Sequence, residues 1–115
     1  MAVAGTERLV VFLVEWAYSY GRLGREADAE RIFREIESAA NHGRMPGPGG
    51  WALAYLAVGD EKRALESLEA SAERAARHER DEGFYNLMNL KMNVTNDPRL
   101  RQPEFVRVFS EIKGT

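Results

Sequence analysis

The pattern of apolar, aromatic and small positions along this chain occurs twice, at a fixed offset of 35 residues. The stretch GREADAERIF begins at Gly24 and the stretch GDEKRALESL begins at Gly59, and each has alanine in sixth place and phenylalanine or leucine in tenth place. Three further pairs agree ahead of each glycine: Trp16 with Trp51, Ala17 with Ala52, and Tyr20 with Tyr55. Six agreements at one offset predict an internal repeat.

This pattern resembles the tetratricopeptide repeat, a helical repeat of about 34 residues whose signature runs W-x2-L-G-x2-Y, then A-x3-F, then P. The resemblance covers about residues 8–78 and implies an all-α fold in which each repeat is a pair of antiparallel helices. It predicts one domain over residues 1–115, with repeat 1 at about 8–41, repeat 2 at about 47–80, and C-terminal capping helices at about 83–113.

The resemblance assigns the shared positions to helix packing. The small residues are expected where helices cross closely: Ala17, Ala29, Ala52 and Ala64. The aromatic residues lie at i and i+4 and are expected to fill the space between helices: Trp16, Tyr20, Trp51 and Tyr55. Each glycine is expected to end the first helix of its repeat. In repeat 2 that helix is expected to begin at Pro48 or Gly49, because proline suits the first position of a helix.

The C-terminal part of the chain is helical in pattern but does not continue the repeat. GFYNLMNLKMNV over 83–94 predicts an amphipathic helix, and the following residues predict a turn and a last helix that begins at Pro103 and stops at Gly114. This part is similar to the D-P-x-L…P-x-F ending that closes many bacterial tetratricopeptide arrays, through Asp97, Pro98, Leu100, Pro103 and Phe105. The expected capping side chains share one helix face: Phe105, Val108, Phe109 and Ile112.

Composition and charge exclude several functional classes. The chain has 16 Lys and Arg against 18 Asp and Glu, which argues against a nucleic-acid footprint and against a polybasic membrane anchor. It has no cysteine, which fits a reducing compartment, so we expect a cytoplasmic protein. The longest apolar run, Leu9 to Val14, is far shorter than the ~20 residues that span a bilayer, and no signal peptide is expected.

The search for catalytic and metal-binding patterns favours a protein that is not an enzyme. The glycine-rich stretch from Gly43 to Gly50 lacks the Lys-Ser/Thr ending of a phosphate loop and is expected to link the repeats. His42 and His78 lack the spacing of zinc ligands, and no serine lies in a G-x-S-x-G elbow. We therefore expect no catalytic residue, no cofactor, no metal and no small-molecule substrate. An enzyme of an unfamiliar class stays as a third alternative.

The family resemblance implies a concave groove that holds a peptide or a helix of a partner protein. The positions that would line it are mainly apolar, so a ligand would be held by burial and shape: Val11, Val14, Tyr18, Arg22, Leu53 and Leu56. The alternative is that the C-terminal helices fold back over these residues, or that they are simply core. We call this set the predicted groove.

The start of the first helix suggests a different interaction. It is apolar all round, and as the first helix of the chain it has no earlier repeat to pack against. Its residues are therefore predicted to form a self-association or domain-docking face: Leu9, Val10, Phe12 and Leu13. This alternative function corresponds to a homodimer, or to the C-terminal part of a larger bacterial signalling or regulatory protein.

Overall fold

A computed structural model describes residues 3–43, 47–77 and 97–111. These described residues form five α-helices and one short 3-10 helix, and they contain no β-strand. The helices are α1 at Val3–Arg22, α2 at Glu26–Asn41, α3 at Pro48–Ala57, α4 at Glu61–Ala76, the 3-10 helix η1 at Pro98–Arg101, and α5 at Pro103–Glu111. The prediction of an all-α fold is confirmed for these residues. The helix predicted over 83–94 lies outside them.

The helices α1 and α2 form one antiparallel hairpin, α3 and α4 form a second, and both reverse direction by the same turn. Gly24 and Gly59 each lie two residues beyond the first helix, with φ of 77° and 81°. Such left-handed backbone favours glycine, which has no Cβ. In each turn the residue after the glycine donates its N–H, at 2.9 Å, to the carbonyl of Tyr20 or Tyr55. The repeat seen in the sequence is thus a repeated turn in the structure.

The helices meet through small and aliphatic side chains. In α2 the spacing of three and four residues places Ala29, Ile32 and Ile36 on one buried side. The four alanines predicted at helix crossings are all fully buried: Ala17, Ala29, Ala52 and Ala64. Between the two hairpins α1 packs on α3, while α2 also touches α3. One continuous core therefore runs through both hairpins.

The C-terminal helices close one end of this core. α5 begins at Pro103, as predicted, and packs against α4 and η1. Its Phe105 and Val108 are buried in the common core together with Leu100 of η1. The other two predicted capping side chains, Phe109 and Ile112, lie outside the described side chains. No helix within the described ranges has both the length and the apolarity to cross a bilayer.

The two hairpins approach each other closely at Gly21 of α1. A Cβ placed on Gly21 would lie 2.4 Å from the backbone oxygen of Ala57 in α3. No real side chain fits at that distance, so glycine is required for this crossing. The repeat pattern predicts small residues at Ala17 and Ala52 but not at Gly21, because Leu56 has the matching position in the second repeat.

We expect the substitution Gly21→Ala to destabilise the protein by about 1–3 kcal/mol, because the added methyl group overpacks a backbone contact. Intrinsic helix propensity alone predicts the opposite sign, since alanine is favoured over glycine by about 1 kcal/mol inside a helix. Urea unfolding followed by circular dichroism measures the difference. Ser38→Ala, at an exposed site of α2, is the control and should shift stability by less than about 0.5 kcal/mol. A stabilised Gly21→Ala variant would contradict the tight crossing.

Candidate functional site

The predicted groove is filled by the protein itself. Val14, Leu53 and Leu56 are fully buried and Tyr18 is nearly so. Arg22 is partly exposed through its side chain, and Val11 lies in α1 with its side chain outside the described ones. In this conformation a partner therefore has no access to four of the six positions. Binding at the predicted groove stays a prediction, and it requires that these buried side chains become exposed.

Residues 97–100 of the C-terminal part contact the predicted groove at Tyr18 and at the end of α3. The hydroxyl of Tyr18 donates a hydrogen bond of 2.7 Å to Oδ2 of Asp97. The guanidinium of Arg99 donates through Nη1, at 2.7 Å, to the backbone oxygen of Leu56 near the end of α3. Leu100 is fully buried beside these contacts in the common core. Polar and apolar contacts thus connect this segment to α1 and α3, the first helix of each hairpin.

Asp97 is the centre of this connection. It is fully buried, yet Arg99 satisfies its carboxylate through Nη2 at 2.9 Å, Nε at 3.1 Å and the backbone N–H at 3.1 Å. Arg22 lies 3.8 Å from the same carboxylate. Such a planar, two-pronged pairing of guanidinium and carboxylate is among the strongest charge-assisted contacts in proteins. We call Tyr18, Arg22, Asp97 and Arg99 the Asp97 cluster.

The pKa values of Asp97 and Tyr18 are both shifted away from neutral pH. Burial by itself would raise the pKa of Asp97, but the hydrogen bonds from Arg99 and Tyr18 outweigh burial and leave that pKa below its usual value. Burial, followed by the hydrogen bond to Asp97 and its negative charge, raises the pKa of Tyr18 far above its usual range. Near neutral pH the carboxylate stays ionised and the phenol stays protonated. The pair therefore suits a structural connection better than proton transfer.

The outer side of α1 carries a separate feature, an exposed apolar stripe. Phe12, Trp16 and Leu23 are 57%, 55% and 72% exposed, and Ser19 between them is also exposed. Their spacing of four, three and four residues keeps all four on one side of a helix. Leu23 follows the last helical residue, but its N–H still donates to the carbonyl of Ser19 at 3.0 Å, so it continues the helical spacing. We call these four residues the α1 stripe.

The same position of the repeat is covered in the second hairpin. Trp51 is half-buried: it stacks on Tyr55 at a centroid distance of 5.5 Å, and the ring of Phe33 in α2 meets it edge-on at 6.1 Å. Among the described residues, no aromatic ring packs on Trp16 in this way. The prediction that Trp16 fills space between helices is therefore wrong. Tyr20, Trp51 and Tyr55 do pack against the core.

The residues predicted for self-association separate into two groups. Phe12 faces outwards, but Val10 and Leu13 are 3% and 8% exposed and belong to the buried side of α1. The side chain of Leu9 lies outside the described ones. A run that is apolar all round divides in this way because an α-helix turns by about 100° per residue, so that residues two apart lie on nearly opposite sides. Only Phe12 of this set is thus shown at the surface, and the sequence analysis missed its neighbours on the stripe, Trp16 and Leu23.

The described residues contain no group of three or more His, Asp or Glu side chains that could hold a metal ion. Comparison with known protein families, with characterised proteins and with solved structures finds nothing that matches this chain. The resemblance to tetratricopeptide repeats therefore stays a prediction. Two geometric features of the described residues are candidates for a function, the buried Asp97 cluster and the exposed α1 stripe.

We expect the substitution Asp97→Asn to lower the free energy of unfolding by about 3 kcal/mol at neutral pH, because it leaves the half-buried guanidinium of Arg99 without its charge partner. The pKa of Asp97 is lower in the folded protein than in the unfolded chain. Its contribution is therefore present above the unfolded pKa of about 3.9 and is lost as the pH falls through the folded pKa. The difference between the wild type and Asp97→Asn should shrink in acid. Urea unfolding at several pH values measures it.

The matched control is Asp28→Asn. Asp28 forms ion pairs with Arg25 at 2.7 Å and Arg31 at 3.4 Å, where both arginines are largely exposed. The same chemical change there should cost less than about 1 kcal/mol. If the two variants lose equal stability, or if the Asp97→Asn difference is the same in acid and at neutral pH, the carboxylate of Asp97 does not hold the C-terminal segment.

Proposed function

We propose that this chain is a non-catalytic, tetratricopeptide-like interaction module that docks a helix of a partner protein on the α1 stripe. One observation carries the proposal. Four large apolar side chains of the described residues are strongly exposed, and three of them lie together on this stripe. Exposed apolar residues scattered singly are normal at a protein surface, whereas residues gathered in one patch are typical of interaction sites.

The stripe fits a helix better than an extended peptide. Helices that dock on other helices use apolar side chains at spacings of three and four residues, and the stripe has this spacing along its whole length. The packing in the second hairpin supports the same partner type. Trp51 receives Phe33 from the neighbouring helix α2, and Trp16 has the place of Trp51 in the first repeat. A partner helix would present an apolar side chain to Trp16 in the same way.

The free energy gained by covering the aromatic residues of the stripe is moderate. Covering the exposed parts of Phe12 and Trp16 removes roughly 200 Å² of apolar surface from water, which corresponds to about 5 kcal/mol at about 25 cal/mol per Å². Association of two proteins costs about 4–15 kcal/mol in lost freedom of motion. The two aromatic rings would therefore anchor the complex, while Leu23 and the rest of α1 supply the remaining contacts.

The predicted groove is the second candidate site, and one observation favours it. Residues 97–100 already lie against it as a bound segment, with Asp97 on Tyr18 and Arg99 on the carbonyl of Leu56. A partner peptide would have to displace this segment and break the Asp97 cluster. Separating one partner of a buried ion pair costs about 3–5 kcal/mol. Docking on the stripe does not require a buried ion pair to be separated, so the stripe is our preferred site.

The proposal includes the negative expectations of the sequence. We propose no catalysis, no cofactor, no metal, and no nucleic-acid or membrane partner, together with a cytoplasmic location that fits a chain without cysteine. A docking function is compatible with either a separate partner protein or another domain of a larger regulator. Both would place an amphipathic helix on the same stripe.

A photo-crosslinking experiment tests the proposal. A benzophenone analogue of phenylalanine replaces Phe12 in the cells that produce the protein, and irradiation attaches it to whatever covers the stripe. We expect covalent adducts from position 12, and we expect them to disappear when Trp16→Asp is added, because a charge on the stripe prevents apolar docking. Gel electrophoresis and mass spectrometry identify the adducts.

The control position is Val106 on α5, which is 48% exposed and is the other large exposed apolar residue of the described part. The same analogue at position 106 should give few adducts, because Val106 is a single apolar residue at another helix. Equal adduct yields from positions 12 and 106, or adducts that persist with Trp16→Asp, would contradict docking on the stripe.

A further inference from the structure

We propose that the helix that covers the α1 stripe belongs to a second copy of this chain, in a symmetric pair of antiparallel α1 helices. This inference rests on the proposed function, because it names the occupant of the same surface. It follows from the order of residues on the stripe, from their sizes, and from the area that the stripe offers.

The stripe is self-complementary in spacing. Its residues Phe12, Trp16, Ser19 and Leu23 are separated by four, three and four positions, so the series has the same spacing from either end. A two-fold axis that passes between positions 17 and 18 would therefore superimpose the stripe on itself. Such an axis generates a closed dimer in which each residue pair occurs twice. A stripe with unequal end spacings would not pair with itself in this way.

The pairing is also complementary in size. With this axis, Trp16 lies opposite Ser19 of the partner subunit, and Phe12 lies opposite the partner's Leu23. The largest side chain of the stripe thus meets the smallest, which gives the indole space between the helices, and an aromatic–aliphatic contact closes each end. Facing helices pack well when large and small side chains alternate. A parallel pair would instead place the two indoles together and leave a gap at the serines.

The area of the stripe indicates how tightly the copies associate. The exposed parts of Phe12, Trp16 and Leu23 supply roughly 350 Å² per copy, and stable interfaces bury about 800 Å² per partner. The remaining surface of α1, which is about 30 Å long, has to supply the difference. We therefore expect a dimer that forms reversibly and dissociates on dilution, not one that is permanent.

The first experiment measures molar mass by light scattering after size-exclusion chromatography, over a hundredfold dilution series of the full chain. We expect twice 13.0 kDa at the highest concentration and a fall toward 13.0 kDa on dilution. Phe12→Asp and Trp16→Asp should each remain at 13.0 kDa throughout. Val106→Asp is the matched control and should follow the wild type. All three sites are exposed, so circular dichroism should show that each variant keeps its helices.

The second experiment tests the register. Since the chain has no cysteine, Ser19→Cys and Leu23→Cys each introduce a single thiol for a short bifunctional crosslinker. In the antiparallel pair the two Ser19 positions are about 5 Å apart along the helix axis, and the two Leu23 positions are about 17 Å apart. We expect Ser19→Cys to crosslink at least tenfold faster than Leu23→Cys. Both should crosslink at similar rates in a parallel pair.

The outcomes separate this inference from the proposed function. A monomer at every concentration, a dimer that survives Phe12→Asp and Trp16→Asp, or equal crosslinking at positions 19 and 23 would each overturn the antiparallel self-pairing. If photo-adducts from position 12 then contain a different protein, docking on the stripe stands and only the occupant proposed here is wrong. If position 12 gives no specific adduct and the chain is monomeric, both proposals fail.

Discussion

The buried carboxylate of Asp97 determines how the C-terminal part of this protein meets its two helical hairpins. An isolated charge in a protein interior is costly, and it is tolerated only when donors surround it. Tyr18 of α1 donates a hydrogen bond from one side, with Arg22 as a more distant ion-pair partner, and Arg99 supplies the other donors. Because Arg99 also binds the carbonyl of Leu56, the charge fixes α1, α3 and η1 in one arrangement. Apolar burial of Leu100 alone would not specify that arrangement, because hydrophobic contacts are not directional.

A consequence of this arrangement is that the two sides of α1 have different roles. The inner side, with Val14 and Tyr18, is core, and Tyr18 also binds Asp97. The outer side, with Phe12 and Trp16, is apolar and lies outside that core. Exposed apolar residues gathered in one patch are typical of interaction sites. The proposed docking surface therefore lies on the opposite side of α1 from the predicted groove.

Much of the fold could be predicted from the sequence, because its determinants are local or periodic. The turn glycines Gly24 and Gly59, the buried alanines and the start of α5 at Pro103 all follow from residue type and spacing. The candidate site could not be predicted in this way. Tyr18 and Asp97 are 79 residues apart in the chain, and no period connects them. Gly21 matters only because the backbone of Ala57 crosses it, which is a property of the assembled hairpins.

The repeat itself explains why Trp16 is exposed, although its position in the pattern predicts that it packs between helices. A repeat pattern specifies how each unit meets its neighbour, so Trp51 is covered because α2 precedes it, and Trp16 has no equivalent neighbour among the described residues. The two surfaces nevertheless differ in detail. Ala54 is fully buried, whereas its counterpart in the first repeat is the exposed Ser19. The exposed side of α1 thus keeps the tryptophan but has a hydroxyl where the second hairpin has a buried alanine. Under the proposed function, this more polar surface favours a partner that associates reversibly over a permanently packed repeat.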